Sequence, residues 1–182
     1  MTQQALLTLV QWLSPAFPLG SFAYSQGLEW AIAGEKITGA AQLEQWLGDL
    51  LAHGGLTVDA VVLARSLEDA ADHGHLADTA RALAPTRERL AETEDQGAAF
   101  ARTVAALTGT DHPPALLPVA LGRAASGLGL PPAQVVTLYL HSVVSALVQV
   151  AVRFVPLGQT EGQPVLSALA PAIEAAAARA VA

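Results

Sequence analysis

The 182-residue sequence contains no cysteine. This absence excludes disulfide frameworks, thiolate metal sites and cysteine nucleophiles together. Charge is also scarce, because charged residues make up 14% of the chain and hydrophobic residues 52%, whereas an average domain is about a quarter charged. Either much of the chain is core, or apolar patches remain on its surface for a partner.

Basic residues are few: nine Lys and Arg are scattered along the chain, and the formal net charge is -7. A basic face for a phosphate backbone is therefore missing, which argues against nucleic acid as a partner. The first ten residues carry no Lys or Arg ahead of their apolar stretch, so the pattern of a secretory signal is absent. We expect a cytoplasmic protein.

Only residues 135–155 are long and apolar enough to be compared with a membrane span of about 20 residues. Polar side chains recur within this segment at a spacing of four: Thr137, His141, Ser145, Gln149 and Arg153. On a helix this spacing gives one slowly winding polar stripe. Because His, Gln and Arg would each be costly in lipid, we expect a buried central helix and no membrane contact.

Strand signals are almost absent, since no stretch alternates apolar and polar residues, and good helix formers dominate. The sequence predicts an all-α fold, a single-domain helical bundle of about eight to ten helices that covers residues 1–182. Gly34 and the Gly54-Gly55 pair are predicted stops, and Thr86 is a predicted N-cap. The predicted helices are residues 3–13, 22–33, 40–52, 58–71, 76–84, 86–107, 116–126, 133–155 and 165–180, the last interrupted at Pro171.

Histidines offer the only metal-site candidates. His73 and His75 lie in the run Asp-His-Gly-His, where a loop could bring both rings onto one ion, although a solvated turn explains the same residues. His141 is predicted to be a hydrogen-bonded interior residue. The alternative function is therefore a small helical metal-binding protein or enzyme that uses His73 and His75, or the stripe of His141, Gln149 and Arg153.

No catalytic constellation is visible, because the sequence has neither a Gly-x-Ser-x-Gly elbow nor a Walker-type phosphate loop. Acidic residues cluster with two arginines between positions 87 and 95, a mixture typical of a solvated helix face. That face would hold Arg87, Glu88, Arg89, Glu92, Glu94 and Asp95. We predict that the protein is not an enzyme.

Two loops remain unexplained by packing alone. Residues 14–30 place Phe17, Phe22 and Tyr24 among prolines and glycines, so this loop either packs on the protein's own core or binds a partner. Residues 153–163 form a polar, glycine-containing stretch after the most apolar predicted helix, and chain reversal does not explain its glutamines.

These two loops resemble the motifs of the urease accessory protein F (UreF) family. The first motif runs from Ser14-Pro15 to Gly20 and on to Tyr24-Ser25-Gln26-Gly27-Leu28-Glu29; the second contains Val152-Arg153, Pro156-Leu157-Gly158-Gln159 and Gly162-Gln163. Gln45-Trp46-Leu47, Asp59, residues 88–100 and Pro118-Val119-Ala120-Leu121-Gly122 are also similar, in the expected order, so the resemblance covers essentially the whole chain. Carried over residue by residue, it implies scaffold and partner-binding roles for Tyr24, Ser25, Gln26, Gly27, Glu29, Arg153, Gly158, Gln159 and Gln163.

The resemblance also implies a function. Members of this family are non-catalytic, all-α homodimers that bind a UreD- or UreH-type accessory protein and the UreG GTPase, and they couple the state of the GTPase to nickel insertion into apo-urease. No cofactor is expected on this chain itself, because the complex handles the nickel. Family members usually continue into a basic C-terminal tail, and this sequence, which stops at Ala182, is expected to lack it. The aromatic early loop would alternatively pack on the second copy of a dimer.

Overall fold

The computed structural model describes residues 2–155 and 157–182, without the side chains of Phe22 and Gln159. Its regular structure is helical throughout the described residues, which confirms the predicted all-α class. The ten α-helices are α1 (Gln3–Trp12), α2 (Leu28–Ala33), α3 (Ala40–His53), α4 (Gly55–Ser66), α5 (His73–Ala82), α6 (Arg87–Thr108), α7 (Leu117–Ser126), α8 (Pro132–Phe154), α9 (Gln159–Ala168) and α10 (Ala170–Val181).

Side-chain caps start several of these helices where the sequence places a short polar residue. The Thr86 hydroxyl accepts a hydrogen bond from the Arg89 amide at 3.1 Å and starts α6, as predicted. Asp72 accepts from the His75 amide at 3.0 Å, so α5 begins at His73, three residues before its predicted start. The predicted loop between His73 and His75 is therefore the first turn of a helix.

Two predicted helices are divided differently in the structure. The predicted helix at residues 22–33 is a 3₁₀ turn, Ser21–Ala23, followed by α2, because Gln26 and Gly27 take left-handed conformations with φ of 51° and 82°. The second is the predicted helix at residues 165–180, which forms α9 and α10. Helix α9 begins at Gln159, so much of the polar loop predicted at residues 153–163 is helical. Pro171 lies at the start of α10, where its missing amide proton needs no partner.

Helix α8 lies at the centre of the bundle and packs against α2, α4, α9 and α10. Its buried side chains belong to one contiguous apolar cluster that extends through most helices. By length and hydropathy alone α8 is able to cross a bilayer, and α3–α4 and α9–α10 would pass the same test only if each bent pair is taken as one span. Half of the most apolar stretch of α8 is buried inside the fold.

Two glycines allow helices to approach closely beside the site described below. A methyl group on Gly97 of α6 would lie 1.9 Å from the carbonyl oxygen of Ala115, far inside van der Waals contact. A methyl group on Gly122 of α7 would lie 2.4 Å from the Cβ of Ser66 on α4. These contacts fix α7 against both α6 and α4, and α6 and α4 carry the charged residues of the site.

Candidate functional site

A cleft that opens to solvent lies between residues 14–27, which we call the early loop, and helices α6, α7 and α8. Most of its surface is apolar, and its polar groups converge from the early loop, α6 and α8. The lining residues are Trp12, Leu13, Ser14, Pro15, Leu19, Ser21, Tyr24, Gln26, Arg89, Glu92, Gln96, Phe100, Leu117, Leu121, Tyr139, Ser142, Val143, Ala146 and Leu147. Such a cleft is the usual form of a binding site.

Aromatic packing anchors the early loop at the base of the cleft. Phe17 is buried, and its ring centroid lies 5.8 Å from that of Phe100 on α6. Trp12 meets the same ring edge-on at 5.6 Å, a favourable arrangement for aromatic pairs. The early loop therefore packs on the protein's own core, although the side chain of Phe22 lies outside the described residues.

An ion-pair network closes the inner end of the cleft. The guanidinium of Arg89 bonds to the carboxylate of Asp59 on α4 and, at 3.0 Å, to the carboxylate of Glu92. The side chain of Arg89 is only 13% exposed, that of Asp59 11% and that of Glu92 7%. Tyr139 of α8 donates its hydroxyl to Asp59 at 2.9 Å, so the network joins α4, α6 and α8.

Burial and charge shift the pKa of every member of this network. Burial raises the pKa of Asp59 and of Glu92, and the nearby positive charge of Arg89 opposes both shifts without cancelling them. Burial alone would lower the pKa of Arg89, but the charge of Asp59, assisted by Tyr139 and Glu92, raises it above its ordinary value. Burial beside the Asp59 carboxylate raises the pKa of Tyr139 well above its ordinary value.

Two residues of the first motif connect the early loop to α6. Tyr24 donates its hydroxyl to Asp95 at 3.0 Å, and this hydrogen bond raises the pKa of Tyr24. The Gln26 side chain reaches the Glu92 carboxylate at 3.5 Å, at the long limit of a hydrogen bond. The same oxygen of Glu92 accepts from Gln96 at 3.4 Å. The early loop is thus held above the ion-pair network by its polar side chains.

The other residues of the first motif shape the entry to α2. The carbonyl of Ser25 accepts a hydrogen bond from the Leu28 amide at 3.0 Å. Gly27 has a left-handed backbone with φ of 82°, which a glycine adopts without strain. Glu29 lies in the first turn of α2 and is exposed. The motif therefore combines internal contacts with one outward-facing carboxylate.

The second motif lies elsewhere and does not line the cleft. Arg153 is exposed in the last turn of α8, 14 residues or about 21 Å along the helix from Tyr139. The Gly158 amide donates to the Glu161 carboxylate at 2.6 Å at the start of α9, and Gln163 is exposed on that helix. The side chain of Gln159 lies outside the described residues, as does Pro156.

The histidine candidates do not converge on one point. His73 and His75 are two positions apart on α5 and so face different sides of the helix; a ring nitrogen of His73 lies 3.0 Å from the Ser66 carbonyl, and His75 is exposed. The prediction of an interior His141 is wrong, because this residue is exposed on α8. Gln149 is half-buried. Within the described chain, no group of three His, Asp or Glu side chains is placed to share a metal ion.

The ion-pair network was the part of the site that the sequence pattern missed. Arg89 and Glu92 were predicted on a solvated face, whereas both are largely buried, because Arg89 reaches inward to Asp59 of α4, which also bonds to Tyr139 of α8. Besides the family resemblance at Asp59 and residues 88–100, Asp59 carried a physical signal, since it is a lone acid flanked by apolar residues of α4. Such an acid is rarely buried without a charged partner.

Comparison with known proteins places the chain among urease accessory proteins. The UreF family model matches residues 37–170. The chain is 62% identical over 174 residues to the urease accessory protein UreF of Cereibacter sphaeroides strain KD131, covering 96% of this chain and 82% of that protein. It is 54% identical to UreF of Paracoccus denitrificans over 98% of this chain and 82% of that protein. It is 48% identical to UreF of Roseobacter denitrificans over 98% of this chain and 81% of that protein.

Proposed function

Because the chain belongs to the UreF family of urease accessory proteins, whose role is in urease maturation, we propose that it acts by binding other proteins and not by catalysis. In this proposal it is a cytoplasmic homodimer that binds a UreD- or UreH-type accessory protein and a UreG-type GTPase. It couples the state of the GTPase to nickel insertion into apo-urease. The complex, and not this chain, handles the nickel.

The observation that carries this proposal is the extent of the similarity, 62% identity over 96% of the chain. The site supports a binding role in physical terms. Asp59, Arg89, Glu92 and Tyr139 bond to one another, so their polar groups hold three helices together. Arg153 and Gln163 are exposed and are therefore available to a partner.

A co-purification experiment tests the proposal. The tagged chain is co-expressed with a UreD-type protein, a UreG-type GTPase and apo-urease, and the retained partners and the urease activity are measured. We expect Arg153→Ala to reduce both. Arg179→Ala is the matched control, because Arg179 is also an exposed arginine in the last turn of a helix, α10.

Tyr24→Ala tests the first motif, with Tyr24→Phe as its control. We expect the alanine variant to lose partner binding, because it removes the aromatic ring from the cleft as well as the hydrogen bond to Asp95. Circular dichroism must show the wild-type helix content in each variant. Undiminished binding by both Tyr24→Ala and Arg153→Ala would contradict the assignment of the two motifs, and a wild-type chain that retains no partner would contradict the function itself.

A further inference from the structure

Trp30 is the most exposed of the large hydrophobic side chains in the described chain, at 67%. It lies on α2 and does not line the cleft. The ammonium nitrogen of Lys36, the only lysine in the sequence, lies 4.6 Å from the centre of the indole ring. This cation–π contact restrains the indole on the surface. The protein therefore keeps a large aromatic side chain ordered and in water, where burial does not explain it.

The backbone turn that brings Lys36 back to Trp30 is unusual. The Glu35 amide donates to the Ile32 carbonyl and the Lys36 amide to the Ala31 carbonyl, both at 2.9 Å. This is the Schellman pattern, in which the residue after the C-cap is left-handed and is usually glycine. Here that residue is Glu35, with φ of 55°, although Gly34 is its neighbour. Local stability favours glycine at position 35, so the glutamate needs another reason.

We propose that Glu29, Trp30, Glu35 and Lys36, here called the Trp30 turn, form a docking surface for an arginine-bearing segment of another protein in urease maturation. The inference rests on the proposed function. Two exposed carboxylates against one lysine leave the turn with a net negative charge. A guanidinium both pairs with carboxylates and stacks on aromatic faces, so arginine fits this combination better than lysine does. Tryptophan is also enriched among the residues that dominate binding energy at interfaces.

The test uses the whole chain and three separately purified probes: a UreD-type protein, a UreG-type GTPase and apo-urease. The Kd for each is measured by biolayer interferometry with the wild type, Trp30→Ala, Trp30→Phe and the double variant Glu29→Gln/Glu35→Gln. Leu107→Ala is the control, because Leu107 is a comparably exposed hydrophobic residue, 55%, at the C-terminal end of another helix, α6. Helix content is checked by circular dichroism.

For one of the three probes we expect Trp30→Ala to raise Kd about 30-fold, the size of a dominant interface residue, and Trp30→Phe to raise it less. The double variant should raise Kd and also weaken its dependence on salt, because two attracting charges are gone. Leu107→Ala should leave Kd unchanged. Glu35→Gly should raise Kd while leaving Tm at or above that of the wild type, since it removes the strained residue.

The outcomes separate this inference from the function on which it rests. A wild-type chain that binds none of the three probes overturns the proposed function. Normal binding together with an unchanged Kd for Trp30→Ala overturns the Trp30 turn alone. Light scattering measures self-association in parallel: if Trp30→Ala changes only the mass of the chain in solution, the turn binds a second copy and the proposal is wrong.

Discussion

Replacing Arg89 by methionine should be among the most damaging single changes on α6. The substitution keeps an unbranched side chain of similar length but removes the one positive charge between Asp59 and Glu92. Breaking a buried ion pair by removing one partner costs about 3–5 kcal/mol, because the other charge stays buried and uncompensated. Arg89 bonds to two carboxylates that are 11% and 7% exposed, so we expect the upper part of that range. Since domains are stable by about 5–15 kcal/mol, the variant should lose about a third of its stability or more.

The loss of stability caused by Arg89→Met should depend on pH, and the direction of this dependence follows from the pKa shifts. Burial already raises the pKa of Asp59 and Glu92, and the charge of Arg89 limits that rise; without Arg89 both pKa values go higher. A carboxyl group with a higher pKa in the folded than in the unfolded state binds protons more strongly when folded. Stability therefore falls as pH rises from the ordinary carboxyl pKa through the raised folded value. The variant should lose less stability, relative to wild type, near pH 5 than near pH 7.5.

Urea unfolding followed by circular dichroism measures these differences as shifts in the transition midpoint at the two pH values. Arg81→Met is the control, because Arg81 pairs with Asp78 and Glu94 but is 44% exposed; exposed pairs of this kind contribute about 0–1 kcal/mol. The triple variant Arg89→Met/Asp59→Asn/Glu92→Gln should recover part of the loss at neutral pH. A loss below about 1 kcal/mol, or one that grows as the pH falls, would refute the account of the network.

Two further predictions follow from close contacts and from burial. Gly97→Ala should destabilise the protein by about 1–3 kcal/mol or more, because its methyl group would lie 1.9 Å from the Ala115 carbonyl oxygen. The control is Gly127→Ala, whose methyl group would meet nothing within 4 Å. Equal urea midpoints for the two variants would contradict this packing. In a Tyr24→Phe variant the remaining tyrosine, Tyr139, should form no phenolate until alkaline unfolding, because burial raises its pKa well above 10.0. Ultraviolet titration checks this, and phenolate formation near pH 10 in the folded protein would show that Tyr139 is not buried beside a carboxylate.

The fold class and several helix ends were predictable because single residues act on the backbone next to them. Thr86 caps α6 through its own hydroxyl, and Gly34 and Gly54 end helices where they were expected to do so. The same effect of single residues on the backbone explains one wrong helix prediction. Gln26 was assigned to a helix by its neighbours, whereas its positive φ, with that of Gly27, divides the segment into two elements.

The ion-pair network could not be predicted in the same way, because its members are far apart in the chain. Asp59 and Arg89 are 30 positions apart, and Asp59 and Tyr139 are 80 apart. Whether a charge on α6 faces water or protein depends on which helices pack over it, and a local pattern of mixed charges does not record that. His141 shows the opposite error: it shares a stripe with half-buried residues, yet its position on α8 faces solvent.

Because the sequence contains a single lysine, it offers one side-chain amine for site-specific labelling. Apart from the α-amino group, a succinimidyl ester would react only with Lys36, whose nitrogen lies against the indole of Trp30. Indole quenches many dyes on contact, so a fluorophore attached there would brighten or dim as the two groups separate or close. The protein thus carries a reporter position on α2 that requires no engineered cysteine.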